Sequence, residues 1–299
     1  GLAIWTNLRP LYWLIEIFFW VMNSITSILP VSLLGPIVLL IGILLIGVGQ
    51  NRSINSIQKA LVPQKDTFLV DALRVKSKLS KGPNIVAIGG GTGLSTLLKG
   101  LKNYSSNISA IVTVTDDGGS SGVLRKQLGV QPPGDIRNCL AALSNEEPML
   151  TRLFQYRFSR GDGLEGHTFG NLFLSTLTTI TGSLEKAVQA SSKVLSVQGQ
   201  VIPATGIDVM LWAELDSGEK IFGESLIGKS TKPINRIGCI PENPPALPVA
   251  IEAIRDADLI VLGPGSLFTS LLPNFLVPEI VEALLKNNSH KIYISNLMT

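Results

Sequence analysis

Two hydrophobic patterns divide the chain into an N-terminal and a C-terminal part. Residues 11–29 and 31–49 are almost continuously apolar, and each is close to the roughly 20 residues that a helix needs to cross a bilayer. From residue 84 onward, short apolar runs alternate with amphipathic stretches, which is typical of strands that alternate with helices. The first pattern predicts an N-terminal transmembrane helical hairpin, and the second predicts an α/β domain.

The predicted hairpin occupies residues 1–50. Residues 31–49 carry no charge, whereas residues 11–29 contain one acid, Glu16, and a single proline separates the two segments. The N-terminal region also holds aromatic side chains of the kind that mark a membrane interface, namely Trp5, Tyr12, Trp13 and Trp20. Two alternatives stay open: both segments could be buried core helices, or residues 31–49 alone could span while Glu16 and Asn23 keep the first segment in the interface.

A basic stretch follows at residues 51–82, which we interpret as a linker with a short helix near residues 68–79. Lysine and arginine clearly outnumber the two acids of this stretch. Positively charged flanks of membrane segments tend to stay on the cytoplasmic side. We therefore predict a cell membrane-anchored protein whose globular domain, residues 83–299, lies in the cytoplasm.

The globular domain is predicted to contain parallel strands and covering helices. The predicted strands are residues 84–88, 110–115, 258–262 and 291–295, and a hairpin is predicted over 209–222 with its turn at 216–218. The predicted helices are residues 94–101, 135–144, 167–180, 183–197, 244–257 and 277–285. Asp135 is expected to cap the second of these helices. The alternation predicts a Rossmann-like parallel sheet with helices on both faces.

Composition narrows the classes of function. The net charge is +3 and no dense basic patch is present, so we expect no nucleic acid partner. Two distant cysteines and two distant histidines form neither a disulfide framework nor a zinc motif, and they indicate a reducing compartment. The sequence starts without methionine and stops soon after an apolar run, so we expect a fragment that is truncated at both ends. The sequence leaves homo-oligomerisation open.

The first glycine motif, GGGTGL, spans residues 89–94 and lies between a predicted strand and a predicted helix. Its central residues, Gly90, Gly91, Thr92 and Gly93, are candidates to cradle an anion, because a helix N-terminus offers free N–H groups and a positive dipole. The motif does not match the dinucleotide fingerprint, which requires glycine where Leu94 stands. A plain tight turn is the alternative.

The second motif places two acids directly after a strand. Asp116 and Asp117 are followed by a predicted glycine loop that begins with Gly118, Gly119 and Ser120. In dinucleotide folds an acid at this place binds ribose hydroxyls. Two adjacent carboxylates could instead hold Mg²⁺ on a diphosphate, because that ion prefers hard oxygen ligands. Turn formation and helix capping are the structural alternative.

Three later motifs add polar candidates. PPGDIRN offers Asn138 and Arg137 at a helix start, where Arg137 is a candidate to bind phosphate and a capped surface helix is the alternative. HTFGN places His167 and Asn171 one helical turn apart. Histidine is a frequent catalytic acid or base, although a structural role near a helix start is equally compatible. GPGS, with the candidates Gly263, Gly265 and Ser266, again ends a buried strand in a glycine loop. Three such loops at one sheet edge would form a ligand crevice.

One formal motif match is rejected. Residues 223–230, GESLIGKS, fit the P-loop pattern, which works only between a strand and a helix that holds the phosphates. Pro233 follows closely and the next residues are not helical in character, so we do not expect a P-loop here.

The chain resembles the gluconeogenesis factor family (YvcK/CofD-like) over residues 84–299. Five motifs carry the resemblance, in this order: GGGTGLSTLLKGL, TVTDDGGSSG, PPGDIRNCLAAL, GHTFGNLFL and DLIVLGPGSLFTSLLPNFLVPEI. The positions that match the family are Gly90, Gly91, Thr92, Gly93, Asp116, Asp117, Asn138, Asn171, Gly263, Gly265 and Ser266. Val123 stands where a basic residue is expected, and Thr168 stands where serine is expected.

The resemblance implies a nucleotide-type site at the loop edge of a Rossmann-like domain, and it leaves three functions to compare. The first is a regulator of carbon metabolism and cell-envelope morphogenesis that binds a UDP-sugar such as UDP-N-acetylglucosamine. The second is a CofD-like transferase that moves a phospholactyl-type group from a nucleotide diphosphate donor, with Mg²⁺ held by Asp116 and Asp117. The third is an NAD-dependent oxidoreductase, against which Leu94 counts.

Overall fold

The computed structural model describes residues 31–61, 69–145 and 148–296, together with residues 13, 15–17, 19, 20, 23 and 24 nearer the N-terminus. The chain divides into two compact units, Gly1–Arg74 and Val75–Thr299. Each unit is described by itself. Most of the predicted first membrane segment, residues 11–29, lies outside the described residues.

The first unit contains one long helix, α1, at Val31–Leu61, with Pro36 inside it. The large apolar side chains between Leu39 and Val48 are exposed along this helix. Among the described residues, no single helix combines the length and the hydropathy needed to cross a membrane, and the apolar helix Leu39–Ser53 is shorter than a span. A transmembrane hairpin is therefore not shown by the structure and stays a prediction.

One bent helix pair, Leu267–Phe275 and Pro278–Lys286, meets the requirement for a span by length and composition only, with 77° between its two parts. Ile280 and Leu284 of the second helix, together with its N-cap residue Val277, belong to a buried apolar cluster beside the central sheet. Their burial within the fold accounts for their apolar character, since a core helix has the same composition as a span.

The second unit is built on a parallel sheet of five strands. The strands are β1 (Ile85–Gly89), β2 (Ile108–Val112), β3 (Gln200–Pro203), β7 (Leu259–Leu262) and β8 (His290–Tyr293). Their order in the sheet is β3-β2-β1-β7-β8, and every neighbouring pair is parallel. The chain therefore adds β2 and β3 on one side of β1, and later adds β7 and β8 on the other side. This reversal places a topological switch point between β1 and β7, where ligands bind in open α/β sheets.

Helices cover both faces of this sheet. The helices that follow β1 are α3 (Gly91–Leu101), α4 (Gly119–Leu128), α5 (Gly134–Leu143), α6 (Pro148–Gln155), α7 (Phe169–Thr181), α8 (Leu184–Val194), α10 (Pro248–Arg255), α11 (Leu272–Phe275) and α12 (Pro278–Lys286), and the helix α2 (Leu69–Ser80) precedes β1. Ala87 of β1 joins a core cluster with α3, α5 and α7, whereas Val86 and Ile88 join a separate cluster with α10 and α12. Successive strand residues point to opposite faces, so one strand supplies both cores. The predicted parallel sheet with covering helices is confirmed.

A smaller antiparallel sheet forms a second layer of structure. Its order is β5-β4-β6, with β4 at Met210–Leu215, β5 at Lys220–Phe222, β6 at Ile234–Ile240 and the short helix α9 at Glu224–Ile227. Leu211 and Ala213 bury one face together with Ile227. The predicted hairpin is present as β4 and β5, and the sequence did not predict the third strand, β6.

Three local predictions need correction. The segment GGSSG was expected to be a loop, but Gly119 begins α4, so these glycines form a helix start. Asp135 does not cap α5: the N-cap is Pro133, and Asp135 lies inside the first turn. The strand β3 was missed, because its last residue is Pro203, and proline in an apolar run usually indicates a non-strand or an edge strand.

Candidate functional site

The glycine loops after β1 and β7 lie against each other at the switch point. A Cβ atom on Gly93 would lie 2.6 Å from the carbonyl oxygen of Pro264, and one on Gly265 would lie 3.4 Å from the carbonyl oxygen of Gly90. Gly263 has φ of +83°, a conformation that side chains disfavour. Glycine is needed here because two backbones approach each other closely.

Asp135 occupies the N-terminus of α3. The N–H group of Gly91 donates a hydrogen bond to the Asp135 carboxyl group. The pKa of Asp135 is raised to about 6, chiefly by burial and also by the negative charge of Asp116, while the Gly91 hydrogen bond and Arg137 oppose the rise. A Cβ on Gly90 would lie 2.8 Å from Asp135 Oδ2. The carboxyl group of Asp135 therefore already accepts from one of the backbone N–H groups that a bound anion would contact at the first glycine loop.

The two adjacent acids after β2 take different roles. Asp116 Oδ1 accepts a hydrogen bond from the N–H of Gly118 at 2.9 Å, and its Oδ2 lies near Gly134. Asp117 Oδ1 accepts from the N–H of Ser225 at 2.8 Å. Asp117 thereby ties the second glycine motif to the antiparallel sheet, and one oxygen of each carboxylate has no hydrogen-bond donor within the described residues.

A buried polar cluster joins the second glycine motif to the start of α7. Asn171 Nδ2 donates to Ser120 Oγ at 3.1 Å, and Ser120 Oγ lies 3.0 Å from His167 Nδ1. Because Ser120 Oγ accepts from Asn171, its own proton is free to be donated to His167. The side-chain oxygen of Asn171 is buried and has no hydrogen-bond partner within the described part of the chain. An unpaired buried acceptor is costly, so this oxygen is a candidate to receive a ligand donor.

Glu224, which the sequence analysis missed, belongs to the same site. The pKa of Glu224 is raised to about 7, chiefly by burial and also by the negative charges of Asp116, Asp135 and Asp117, while a hydrogen bond from Thr269 opposes the rise. The carboxyl groups of α5, α9 and the end of β2 therefore converge. The signal that the sequence offered for Glu224 was an acid directly after a glycine, Gly223. In the structure Gly223 follows β5 and has φ of +97°.

The remaining candidates lie at the margin of this cluster. Thr92 and Ser266 are exposed, and Asn138 Oδ1 accepts from Arg137 Nη2 at 2.8 Å. Burial and the neighbouring positive charge of Arg157 lower the pKa of Arg137, and its Nε is buried with no partner in the described residues. Arg137 is thus a cation with one unused donor, as a phosphate contact would require.

The rejected P-loop motif has a defined structure. GESLIGKS follows β5, and its helix, α9, is a single turn that ends at Ile227, before the Lys-Ser pair. A P-loop holds phosphate at a helix N-terminus beside its lysine, so the arrangement here is reversed.

The described residues contain no group of three or more His, Cys, Asp or Glu side chains arranged to hold a metal ion. Mg²⁺ usually needs only one or two carboxylates, because phosphate oxygens and water complete its coordination. The two uncommitted oxygens of Asp116 and Asp117 fit such a partial site.

A cavity of about 330 Å³ opens beside the second glycine motif. Its walls are formed by Thr115, Asp117, Gly122, Arg125, Lys126, Asp208, Met210, Leu211 and Gly223. Another cavity, of about 480 Å³, lies at the opposite edge of the sheet, beside the N-terminal ends of β1 and β2. No glycine motif reaches that second cavity within the described residues, so the first is the better candidate for the ligand.

Comparison with known proteins identifies the family of the chain. The model of the family described as 2-phospho-L-lactate transferase CofD matches residues 85–299. The chain therefore belongs to this family, which includes the gluconeogenesis factors, and the resemblance read from the five motifs is confirmed.

Particular relatives define the branch of the family. A protein named gluconeogenesis factor from Bacillus subtilis is 52% identical over 221 residues, which cover 74% of this chain and 70% of that protein. A protein provisionally named as a gluconeogenesis factor from Nostoc sp. strain PCC 7120 is 58% identical over all 299 residues, and the chain spans 66% of its length. A crystal structure of a protein from Bacillus halodurans superimposes with a TM-score of 0.71 at 53% identity, covering 73% of this chain and 70% of that chain.

Proposed function

We propose that this protein is a gluconeogenesis factor: a regulator of carbon metabolism and cell-envelope morphogenesis that binds a UDP-sugar such as UDP-N-acetylglucosamine. The names of its relatives support the regulatory assignment. The observation that carries the ligand class is the convergence of glycine-rich strand ends and carboxylates at one sheet edge. Backbone N–H groups suit a diphosphate, and carboxylate oxygens suit the hydroxyl groups of ribose and sugar.

The start of α4 is the better diphosphate site of the two helix starts. Asp135 already accepts from Gly91 at α3, whereas Gly119 is exposed at the start of α4. The first N–H groups of a helix have no partner inside the helix and favour anions. The unused donor Nε of Arg137 is a candidate for a further phosphate contact.

Binding and turnover are tested together. The purified full chain is incubated with UDP-N-acetylglucosamine, and separately with GTP-type donors and a deazaflavin acceptor in the presence of Mg²⁺. Saturable UDP-sugar binding without product supports the regulator. A Mg²⁺-dependent product that disappears in Asp117→Ala would overturn it in favour of the transferase.

The transferase is the second candidate because the matching family model is named for that activity. In that reaction Asp116 and Asp117 would hold Mg²⁺, which would stabilise negative charge on the departing nucleotide diphosphate. The oxidoreductase is less well supported, since Leu94 replaces the fingerprint glycine and is fully buried in the core.

We also propose that residues 11–29 and 31–49 anchor the protein to the cell membrane, with the α/β unit in the cytoplasm. The exposed apolar side chains of α1 support this proposal, because water-exposed apolar surface of that extent is unfavourable. Cell fractionation tests it: the chain should be recovered with membranes and released by detergent but not by high salt. Recovery in the soluble fraction would contradict the anchor.

A further inference from the structure

The cavity beside Asp117 has the features of a nucleoside pocket. Its volume of about 330 Å³ lies at the lower end of the roughly 300–1,000 Å³ of small-molecule sites. Met210 and Leu211 of β4 give it an apolar wall, while Lys126 and Asp117 supply polar groups. A nucleobase needs this combination, because its faces are apolar and its edges form hydrogen bonds.

Contacts of Arg125 hold the α4 wall of the cavity in place. Arg125 Nη2 donates to the carbonyl oxygen of Val209 at 2.9 Å and forms an ion pair with Asp208 at 2.9 Å. These contacts hold α4 against the start of β4. Lys126, one residue further, is exposed and has no ion pair within the described residues. The cavity therefore contains one uncommitted cation beside a fixed guanidinium.

Asp117 stands at the boundary between this cavity and the crevice. Its Oδ1 accepts from Ser225, while its Oδ2 lies directly over Gly223, where a side chain could not fit. An acid at the end of the second strand is positioned for ribose hydroxyls in folds of this class. The charges of Asp116, Asp135 and Asp117 all act on Glu224, so these four carboxyl groups lie near one another. Those carboxyls match the hydroxyl-rich sugar.

We infer that the cavity between α4 and β4 receives the nucleoside end of the ligand, with the ribose at Asp117 and the base against Met210 and Leu211. This inference rests on the proposed function. It fixes the direction of the bound molecule: nucleoside over the end of β2, diphosphate at the start of α4, and sugar toward the switch point.

A larger side chain that fills the cavity tests the direction in which the ligand binds. Met210→Trp places a large ring at the cavity, because Met210 lines it and is 38% exposed. Met149→Trp on α6 is the matched control, since Met149 is 70% exposed and does not line the cavity. UMP, N-acetylglucosamine 1-phosphate and UDP-N-acetylglucosamine are titrated into the full chain and both variants.

Met210→Trp is expected to weaken binding of UMP and of the UDP-sugar about tenfold or more, equivalent to roughly 1.4 kcal/mol, and to leave the sugar phosphate unchanged. Unaltered UMP binding, or loss of sugar phosphate binding instead, would overturn the inference. Binding of the UDP-sugar without any binding of UMP would overturn it while keeping the proposed function. Absence of binding by all three probes would overturn both.

Covalent labelling provides an independent readout. Periodate converts the ribose diol of UMP to a dialdehyde, which forms an imine with a nearby lysine amine and is trapped by borohydride. We expect label on Lys126, with competition by excess UMP, and none on Lys99 of α3. Competed label on Lys99 with Lys126 unlabelled would place the ribose elsewhere and contradict the inference.

Discussion

The two ends of the candidate site use glycine for different reasons. At the closed end, residues 89–93 and 263–266, the two loops touch, and a Cβ on Gly93 would collide with backbone atoms. At the open end, residues 116–122 and 223–225, glycines make room for the carboxylate of Asp117 and start a helix. At the closed end glycine therefore serves the packing of the two loops, whereas at the open end it serves the groups proposed to bind the diphosphate and the nucleoside. Substitutions at the two ends should separate stability from affinity.

The largest effect is expected at the closed end. Gly93→Ala should lower the free energy of unfolding by about 3 kcal/mol, because the added carbon would lie 2.6 Å from the Pro264 carbonyl oxygen. Gly100→Ala, in the same helix, is the control: nothing lies within 4 Å of its added carbon. That control should stabilise the protein by about 0.5–1 kcal/mol. Urea unfolding measures both, and equal effects would contradict the distinction.

Next comes the loss of a charge at the open end. Asp117→Asn should weaken UDP-sugar binding about 10- to 100-fold, since a hydrogen bond to a charged group contributes roughly 1.5–3 kcal/mol. Stability should change little, because asparagine can still accept from the N–H of Ser225. Asp216→Asn, in the exposed turn after β4, should leave affinity unchanged in the same calorimetric titration. A large stability loss in Asp117→Asn would show that this carboxylate serves the fold instead.

A smaller effect is expected from the pH dependence of stability. The pKa of Glu224 is raised from 4.5 to about 7, so the folded protein binds this proton more tightly than the unfolded chain. The contribution of Glu224 to the unfolding free energy therefore falls as pH rises from about 4.5 to about 7 and is level above that range.

Glu224→Gln removes that dependence. At about pH 8 the variant should be more stable than the parent by about 1–2 kcal/mol, a value reduced for the solvent exposure of the group, and near pH 4 it should be equal. Glu165→Gln, on an exposed loop, should follow the parent at both values. Parent and Glu224→Gln curves that stay parallel across this pH range would refute the raised pKa.

The smallest effect concerns the start of α7, which holds His167 and Asn171 at the open end. Thr168 caps this helix by accepting from the N–H of Asn171. Thr168→Ala should cost about 1 kcal/mol of stability, whereas Thr168→Ser should keep most of the cap. Thermal unfolding distinguishes them. If the serine variant loses as much as the alanine variant, the hydroxyl contact is not the source of the stability.

The strand ends and glycine loops could be predicted because their signals are local. A buried apolar run followed by glycine identified β1 and β7, an apolar run followed by two acids identified β2, and parallel strands end at a common edge. The prediction for the segment GGSSG was wrong because it also relied on a local signal. Glycine has a low helix propensity, which indicates a loop, but the close packing of Gly122 against the Asp117 backbone overrides that propensity.

Long-range contacts could not be predicted from one sequence. Ser225 reaches Asp117 across 108 positions, and no local pattern connects them. The role of Asp135 was missed because its partner, the N–H of Gly91, lies on another helix. The carboxyl groups are therefore brought together by the fold, whereas the glycine loops can be predicted from the sequence.

The central claim is that the open end recognises a UDP-sugar, and isothermal titration of the full chain with UDP-N-acetylglucosamine tests it most directly. We expect saturable binding that is abolished by excess UDP and unaffected by NAD⁺. No heat with the UDP-sugar, or saturable binding of NAD⁺ in its place, would contradict it.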